Sequence, residues 1–194
     1  MDDKAGLLFD PLQPVFFKGI MQSYLQFTPI YQERVWGGRG LEQSLGRTLP
    51  VDKVIGESWE LVDREEADSK LSGGQASLGQ LRREESRDLM GPDWPAEKPF
   101  PILVKWLDCQ ARLSLQVHPP ATVAPELGGE PKTENWYIVE ATPEAALLAG
   151  LQPGVSPGQF EEALKGEQLE DLVCRLPARK GDSLFVRSGR LHAI

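Results

Sequence analysis

The chain contains two histidines, and both lie in short segments whose residue types can bind a metal ion. His118 lies in the segment 113–119, His192 lies in the segment 188–194, and the carboxylate of Glu134 comes between them. Two imidazoles, a carboxylate and an amide oxygen would form a four-ligand site of the kind that Zn²⁺ accepts. These residue types therefore raise the hypothesis of a single metal centre.

The first histidine ends the clearest period-two pattern in the chain. Polar and apolar side chains alternate over residues 112–118, which predicts a β-strand. In such a strand Gln116 and His118 point to the same side, about 7 Å apart, and can share a metal ion. A solvent-facing polar strand with a chance histidine explains this pattern equally well.

The other two candidates are weak when each is taken alone. Lys132 and Glu134 share one face of extended backbone, and an isolated pair of this kind is more often a surface ion pair. His192 follows a turn at Ser188-Gly189 after a predicted strand. Such a histidine is more often hydrogen-bonded at the surface, so only the combination points to a metal.

Composition restricts the class of protein and its location. The net charge of −8 argues against a nucleic-acid partner, and an anionic ligand would need local cations. Two cysteines in 194 residues do not form a disulfide framework. No apolar run reaches membrane-spanning length and the acidic N-terminus does not suit a signal peptide, so we expect a cytoplasmic protein without a membrane partner.

Strand patterns dominate the second half of the chain, with helices inserted. Ser77 and Ser156 each precede Gln by three residues, a helix-start signal that predicts helical insertions near 77–90 and 156–176. We expect a mainly β fold, a barrel or sandwich, over residues 27–194. Residues 1–26 are predicted to be an extension, in part disordered, and Met21 is an alternative start to Met1.

Six blocks in the same order resemble type I phosphomannose isomerases in their short bacterial form, from about Phe27 to Ile194. The blocks are Val35-Trp36-Gly37-Gly38, Gly56-Glu57-Ser58-Trp59-Glu60, Phe100-Pro101-Ile102-Leu103-Val104-Lys105, Leu113-Ser114-Leu115-Gln116-Val117-His118-Pro119, Lys132-Thr133-Glu134-Asn135-Trp136-Tyr137 and the segment Gly181–Ile194. The resemblance implies a cupin (jelly-roll) β-barrel with one Zn²⁺ per chain. It implies that the ligands are Gln116, His118, Glu134 and His192.

The resemblance also implies a reaction, the interconversion of mannose 6-phosphate and fructose 6-phosphate through an enediol. Lys105 and Ser114 would then lie near the phosphate of the sugar substrate, and Lys132 in the active site. A metal can polarise the sugar carbonyl, and a general base must take the carbon-bound proton. Lys132 is the candidate base, although it can equally bind a hydroxyl or the phosphate.

The chain departs from the family pattern at two places. Pro120 and Ala121 follow the His-Pro of the first motif, where acidic residues are usual, and the chain stops at Ile194, before further barrel strands and an active-site arginine. We therefore expect an incomplete barrel, a poorly held His192, and metal binding that exceeds catalysis. The alternatives are a non-catalytic metal- or sugar-phosphate-binding cupin, an inactive isomerase fragment, and an Fe²⁺ dioxygenase, which a glutamine ligand disfavours. The oligomeric state stays open.

Overall fold

The computed structural model describes residues 15–17, 20–22 and 24–194. The chain divides into two compact units, Met1–Asp108 and Cys109–Ile194, a boundary that the sequence did not predict. Most of the predicted extension 1–26 lies outside the described residues. Its described part includes two short strands, β1 (Val15–Phe17) and β2 (Ile20–Gln22), which pair antiparallel.

The first unit is organised around a three-stranded antiparallel sheet with the order β3-β4-β5. Its remaining elements are β3 (Ile30–Gly38), α1 (Gly40–Leu45), β4 (Ile55–Leu61), α2 (Leu78–Glu84), α3 (Ser86–Met90) and β5 (Val104–Leu107). Leu41, Leu49 and Ile55 form a buried apolar cluster against which Tyr31 and Trp106 pack. This burial anchors α1 to the sheet.

A buried ion pair joins α2 to the loop segments of the first unit. Arg82 Nε donates to Asp63 Oδ2 over 2.6 Å, and the backbone N–H of Phe100 donates to the same oxygen over 2.8 Å. Arg82 also donates to the carbonyl of Ala96. Both charged side chains are more than nine-tenths buried, so each needs the other to offset the cost of its desolvation.

The second unit contains a three-stranded sheet and a separate two-stranded sheet. Its elements are β6 (Glu134–Tyr137), β7 (Ala146–Leu151), α4 (Pro157–Lys165), a 3₁₀ turn (Leu169–Leu172), β8 (Val173–Pro177), β9 (Ser183–Val186) and β10 (His192–Ala193). The sheet orders are β10-β7-β8 and β6-β9, and all pairs are antiparallel. Leu148, Val173 and Ala193 form the apolar cluster of this unit.

Helices lie within both segments where the sequence predicted them. Ser156 and Gln159 form a complete capping box at the start of α4, and Pro157 is its first residue. Ser77 caps α2 by accepting the N–H of Gln80. The predicted second insertion extends too far, because residues 173–176 belong to strand β8 rather than to a helix. There Val173 is buried and pairs with Leu151, so sheet packing decides the conformation.

The segment 112–118 is extended, but it is a single bridge rather than the strand that its alternation predicts. Gln116 exchanges two backbone hydrogen bonds with His192, of 2.9 and 2.8 Å, and the N–H of Leu113 donates to Ile194 O over 2.8 Å. Pro119 and Pro120 follow, and proline cannot donate to a ladder. Regular pairing therefore stops directly after the bridge.

Across both units, the described residues are mainly β with helical insertions, as predicted. Strand β10 is flanked on both sides, since His192 pairs with Ala149 of β7 and with Gln116. The expectation that His192 would lack flanking partners is therefore wrong. Within residues 24–194 and the two short strands before them, no helix is long and apolar enough to cross a membrane.

Candidate metal centre

Three chain segments of the second unit bring the two histidines and Glu134 together. Glu134 begins β6, His192 begins β10, and His118 follows the bridged residue Gln116 by two positions. Side chains two apart on extended backbone share a side, and residues paired across a bridge do so as well. This backbone arrangement predicts that the side chains of Gln116, His118 and His192 share one face.

Each histidine places a donor atom close to the spacing from the Glu134 carboxylate that a tetrahedral ion requires. His118 Nε2 is 3.5 Å from Glu134 Oε1, and His192 Nε2 is 3.6 Å from Glu134 Oε2. One donor atom from each of the three residues lies within 4.8 Å of the others. Zinc bonds of about 2.0–2.2 Å in tetrahedral geometry separate neighbouring donors by roughly 3.4 Å. The three side chains are therefore close enough to one another to bind a single metal ion.

In each imidazole, the ring nitrogen Nε2 faces the carboxylate of Glu134. The Nε2 atoms of His118 and His192 are buried and have no hydrogen-bond partner among the described residues. His192 Nδ1 lies 2.7 Å from the carbonyl of Arg190; because a carbonyl only accepts, Nδ1 carries the proton and Nε2 keeps its lone pair. A buried polar atom without a partner costs about 1–3 kcal/mol, and a bound cation would remove that cost.

Charge around the carboxylate keeps Glu134 ionised. Burial raises the pKa of Glu134, but the Lys132 ammonium, which contacts Oε1, and the two histidines outweigh that effect and hold the pKa below its ordinary value. Burial, followed by the charge of Lys132, lowers the pKa of His118, while Glu134 acts in the opposite direction. An anionic carboxylate and a neutral imidazole are the protonation states that bind a metal.

These shifts predict that the metal-free chain loses stability as the pH falls. The pKa of His118 is below 6.5 in the folded chain, so below about pH 6.5 the unfolded chain binds more protons and stability decreases. The lowered pKa of Glu134 adds a further loss below its unfolded value of 4.5. Urea midpoints measured between about pH 5 and about pH 7.5 should fall as the pH is lowered. They should fall less in His118→Gln than in the unmodified chain. If the urea midpoints of both chains depended equally on pH, His118 would not be the source of the stability loss.

The remaining predicted site residues have defined places. Lys132 contacts Glu134 and is about one-third exposed. Lys105 lies on β5 of the first unit, paired with Trp59, and its Nζ is 3.4 Å from the buried carboxylate of Glu57. Ser114, in the second unit, is exposed. The structure thus places the ammonium group of Lys105 beside a carboxylate.

Sequence reasoning missed three contacts at the centre. The Trp136 indole N–H donates to Glu134 Oε2 over 3.1 Å, and its ring meets the His192 ring edge-on at 5.5 Å. The spacing of two between Glu134 and Trp136 on one strand could have indicated this contact. The carbonyl of Arg190 that orients His192 has no signal in the sequence, because every residue carries a carbonyl.

Comparisons with known proteins identify the family of the chain. The family model for the catalytic domain of type I phosphomannose isomerase matches residues 24–153, more than half of the chain. The probable mannose-6-phosphate isomerase GmuF of Bacillus subtilis is 33% identical over 86% of this chain and 53% of its own length. The crystal structure of a Bacillus subtilis mannose 6-phosphate isomerase superimposes with a TM-score of 0.77 at 29% identity, over 88% of this chain and 54% of that one.

A more distant structure shares the fold. The phosphomannose isomerase of Salmonella typhimurium, crystallised with substrate (f6p) and zinc, matches with a TM-score of 0.60 at 14% identity, over 87% of this chain and 65% of that one. These matches confirm the predicted cupin-type fold class. The chain spans about half the length of the curated relatives it matches. On the family model and the order of its motifs, the chain belongs to the type I phosphomannose isomerase family.

Proposed function

We propose that the chain binds one Zn²⁺ through His118, Glu134, His192 and the side-chain oxygen of Gln116, and that it serves the interconversion of mannose 6-phosphate and fructose 6-phosphate. The observation that carries this proposal is the convergence on one carboxylate of two buried Nε2 atoms that have no hydrogen-bond partner among the described residues. The choice of substrate in this proposal is based on the relatives, which are named as mannose-6-phosphate isomerases. A cytoplasmic location is part of the same proposal.

The chemistry of the donor set suits zinc. Nitrogen and oxygen donors at tetrahedral spacing are typical of catalytic zinc sites. When bound, the ion would supply Lewis-acid polarisation of a sugar carbonyl. Because Glu134 is the single anionic ligand in the proposed set, the site would keep a net positive charge. An amide ligand disfavours the iron dioxygenase alternative.

Lys132 is the residue that we propose for proton handling. The reaction moves one proton from C2 of the aldose to C1 and a second proton from the C2 hydroxyl to the C1 oxygen, so that the carbonyl moves from C1 to C2. Lys132 Nζ contacts Glu134 Oε1 and remains about one-third exposed, so an entering ligand can reach it. As an ammonium it can hold a sugar hydroxyl, and after losing a proton it can accept the carbon-bound one.

We also propose, from the family resemblance, that Lys105 and Ser114 each contact the substrate phosphate. A dianion approaching a chain of net charge −8 needs a local cation. Lys105→Ala should weaken binding of fructose 6-phosphate by roughly 10–100-fold, because a charge-assisted hydrogen bond contributes about 1.5–3 kcal/mol. The fold should tolerate the change, since Glu57 keeps its contacts with Arg34 and Trp59.

Titration calorimetry of the zinc-loaded chain checks this prediction. Lys98→Ala, an exposed lysine of the same unit, is the matched control and should bind as the unmodified chain does. Fructose without its phosphate should not distinguish the variants. If Lys105→Ala binds fructose 6-phosphate unchanged, the phosphate is bound elsewhere.

The activity itself is best tested by a sensitive exchange experiment. The chain, stripped by a chelator and reloaded with Zn²⁺, is incubated with mannose 6-phosphate in D₂O. Proton transfer through an enediol predicts zinc-dependent appearance of fructose 6-phosphate carrying deuterium at C1. Stoichiometric zinc with no product and no exchange would overturn the proposed isomerisation and favour the non-catalytic metal-binding alternative.

A further inference from the structure

We propose that Trp136 is a positioning residue of the metal centre, which fixes Glu134 and His192 in the geometry that holds the ion. This inference rests on the proposed metal site. It concerns a side chain that is itself no ligand, since an indole offers only an N–H donor. Trp136 therefore acts through the residues that it contacts.

The first contact orients the carboxylate. Glu134 Oε2 accepts the indole N–H over 3.1 Å, while Oε1 contacts the Lys132 ammonium. Each oxygen also faces a different histidine, Oε1 towards His118 and Oε2 towards His192. Without the indole, the carboxylate is restrained from the Lys132 side alone and can rotate away from His192.

The second contact restrains His192. The indole ring meets the imidazole at 67° with centroids 5.5 Å apart, an edge-on arrangement that aromatic rings prefer. On the other side of that imidazole, Nδ1 donates to the carbonyl of Arg190. The ring is thus held by a hydrogen bond and by an aromatic contact, so Nε2 has a defined direction.

A neutral donor suits this position better than a second cation. The indole N–H fixes one carboxylate oxygen without adding positive charge, whereas an ammonium there would repel a divalent ion. The strand register makes the arrangement rigid, because Glu134 pairs with buried Val186 and Trp136 pairs with Leu184 on β9. Hydrogen-bond partners of metal ligands typically change metal affinity by about 10–100-fold when they are removed.

The test uses Trp136→Phe, which keeps an aromatic ring and removes the N–H. Zinc affinity is measured by competition with a chromogenic chelator, and the visible absorption of the Co²⁺-substituted chain reports the ligand geometry. We expect affinity to fall by at least about 10-fold and the Co²⁺ spectrum to change. The control is Trp94→Phe in the first unit, where the indole of Trp94 donates to Lys98 O. This variant should match the unmodified chain in both measurements.

The outcomes separate this inference from the proposed function. If the unmodified chain does not bind zinc, the proposed site fails and the inference fails with it. If the unmodified chain binds zinc and Trp136→Phe has the same affinity and the same Co²⁺ spectrum, the positioning role alone is overturned. A changed spectrum with weaker binding supports it.

The unmodified chain supplies a second measurement that does not depend on the folding of a variant. In ¹H–¹⁵N spectra, the indole N–H of Trp136 should exchange with solvent more slowly than that of Trp94. It should also shift strongly when Zn²⁺ is added, because the carboxylate that accepts its hydrogen bond becomes a ligand. An indole resonance that exchanges as fast as that of Trp94 and stays unmoved by zinc would overturn the inference.

Discussion

Replacing His118 by alanine is expected to weaken zinc binding strongly. His118 supplies one of the two buried Nε2 atoms that face Glu134. Zinc sites with four protein ligands bind with about 10–16 kcal/mol, so one ligand accounts for roughly 3–4 kcal/mol. Losing it should weaken binding by on the order of 10²–10³-fold, measured by chelator competition.

The neighbouring residue provides a matched control for this change. Val117 is 53% exposed, so Val117→Ala alters the same segment without removing a donor atom. Its zinc affinity should equal that of the unmodified chain. Undiminished zinc binding by His118→Ala would remove His118 from the ligand set.

The second large effect is expected on folding rather than on metal binding. Arg82→Ala leaves the buried carboxylate of Asp63 without its cation, although the N–H of Phe100 remains. Breaking a buried ion pair from one side typically costs about 3–5 kcal/mol. We therefore expect a much lower urea midpoint for the first unit.

Arg83, the next residue of α2, is the control for that variant. Its side chain is exposed, so Arg83→Ala should change the free energy of unfolding by no more than about 0.5 kcal/mol. Equal midpoints for the two variants would show that the Asp63–Arg82 pair does not stabilise the fold. Zinc affinity, which the proposal assigns to the second unit, serves as an independent check that each variant is folded there.

Local signals in the sequence predicted some parts of the fold well. The capping box at Ser156 and Gln159 is complete in the structure, because all of its partners lie within three residues. The alternation at 112–118 predicted Gln116 and His118 on one side; in the structure Gln116 forms a backbone bridge with His192, and the ring centroids of His118 and His192 are 5.1 Å apart. The alternation predicted a longer strand than the structure contains. It also placed Val117 on the apolar face, whereas Val117 is exposed.

Local signals of this kind could not predict contacts between residues that lie far apart in the sequence. Glu57, the partner of Lys105, lies 48 residues earlier in the chain, and no spacing rule connects the two. Residues 173–176 have apolar positions that suit a helix, yet pairing with β7 makes them a strand. The convergence of His118, Glu134 and His192 likewise depends on which strands pair. The family resemblance, rather than periodicity, indicated that convergence.

The most direct test of the metal centre is a crystal structure of the zinc-loaded chain with anomalous diffraction data collected on both sides of the zinc absorption edge. We expect one anomalous peak per chain, bonded at about 2.0–2.2 Å to the Nε2 atoms of His118 and His192, to a carboxylate oxygen of Glu134 and to the side-chain oxygen of Gln116. A peak at any other group of residues, or no peak in a chain that holds zinc in solution, would contradict the account.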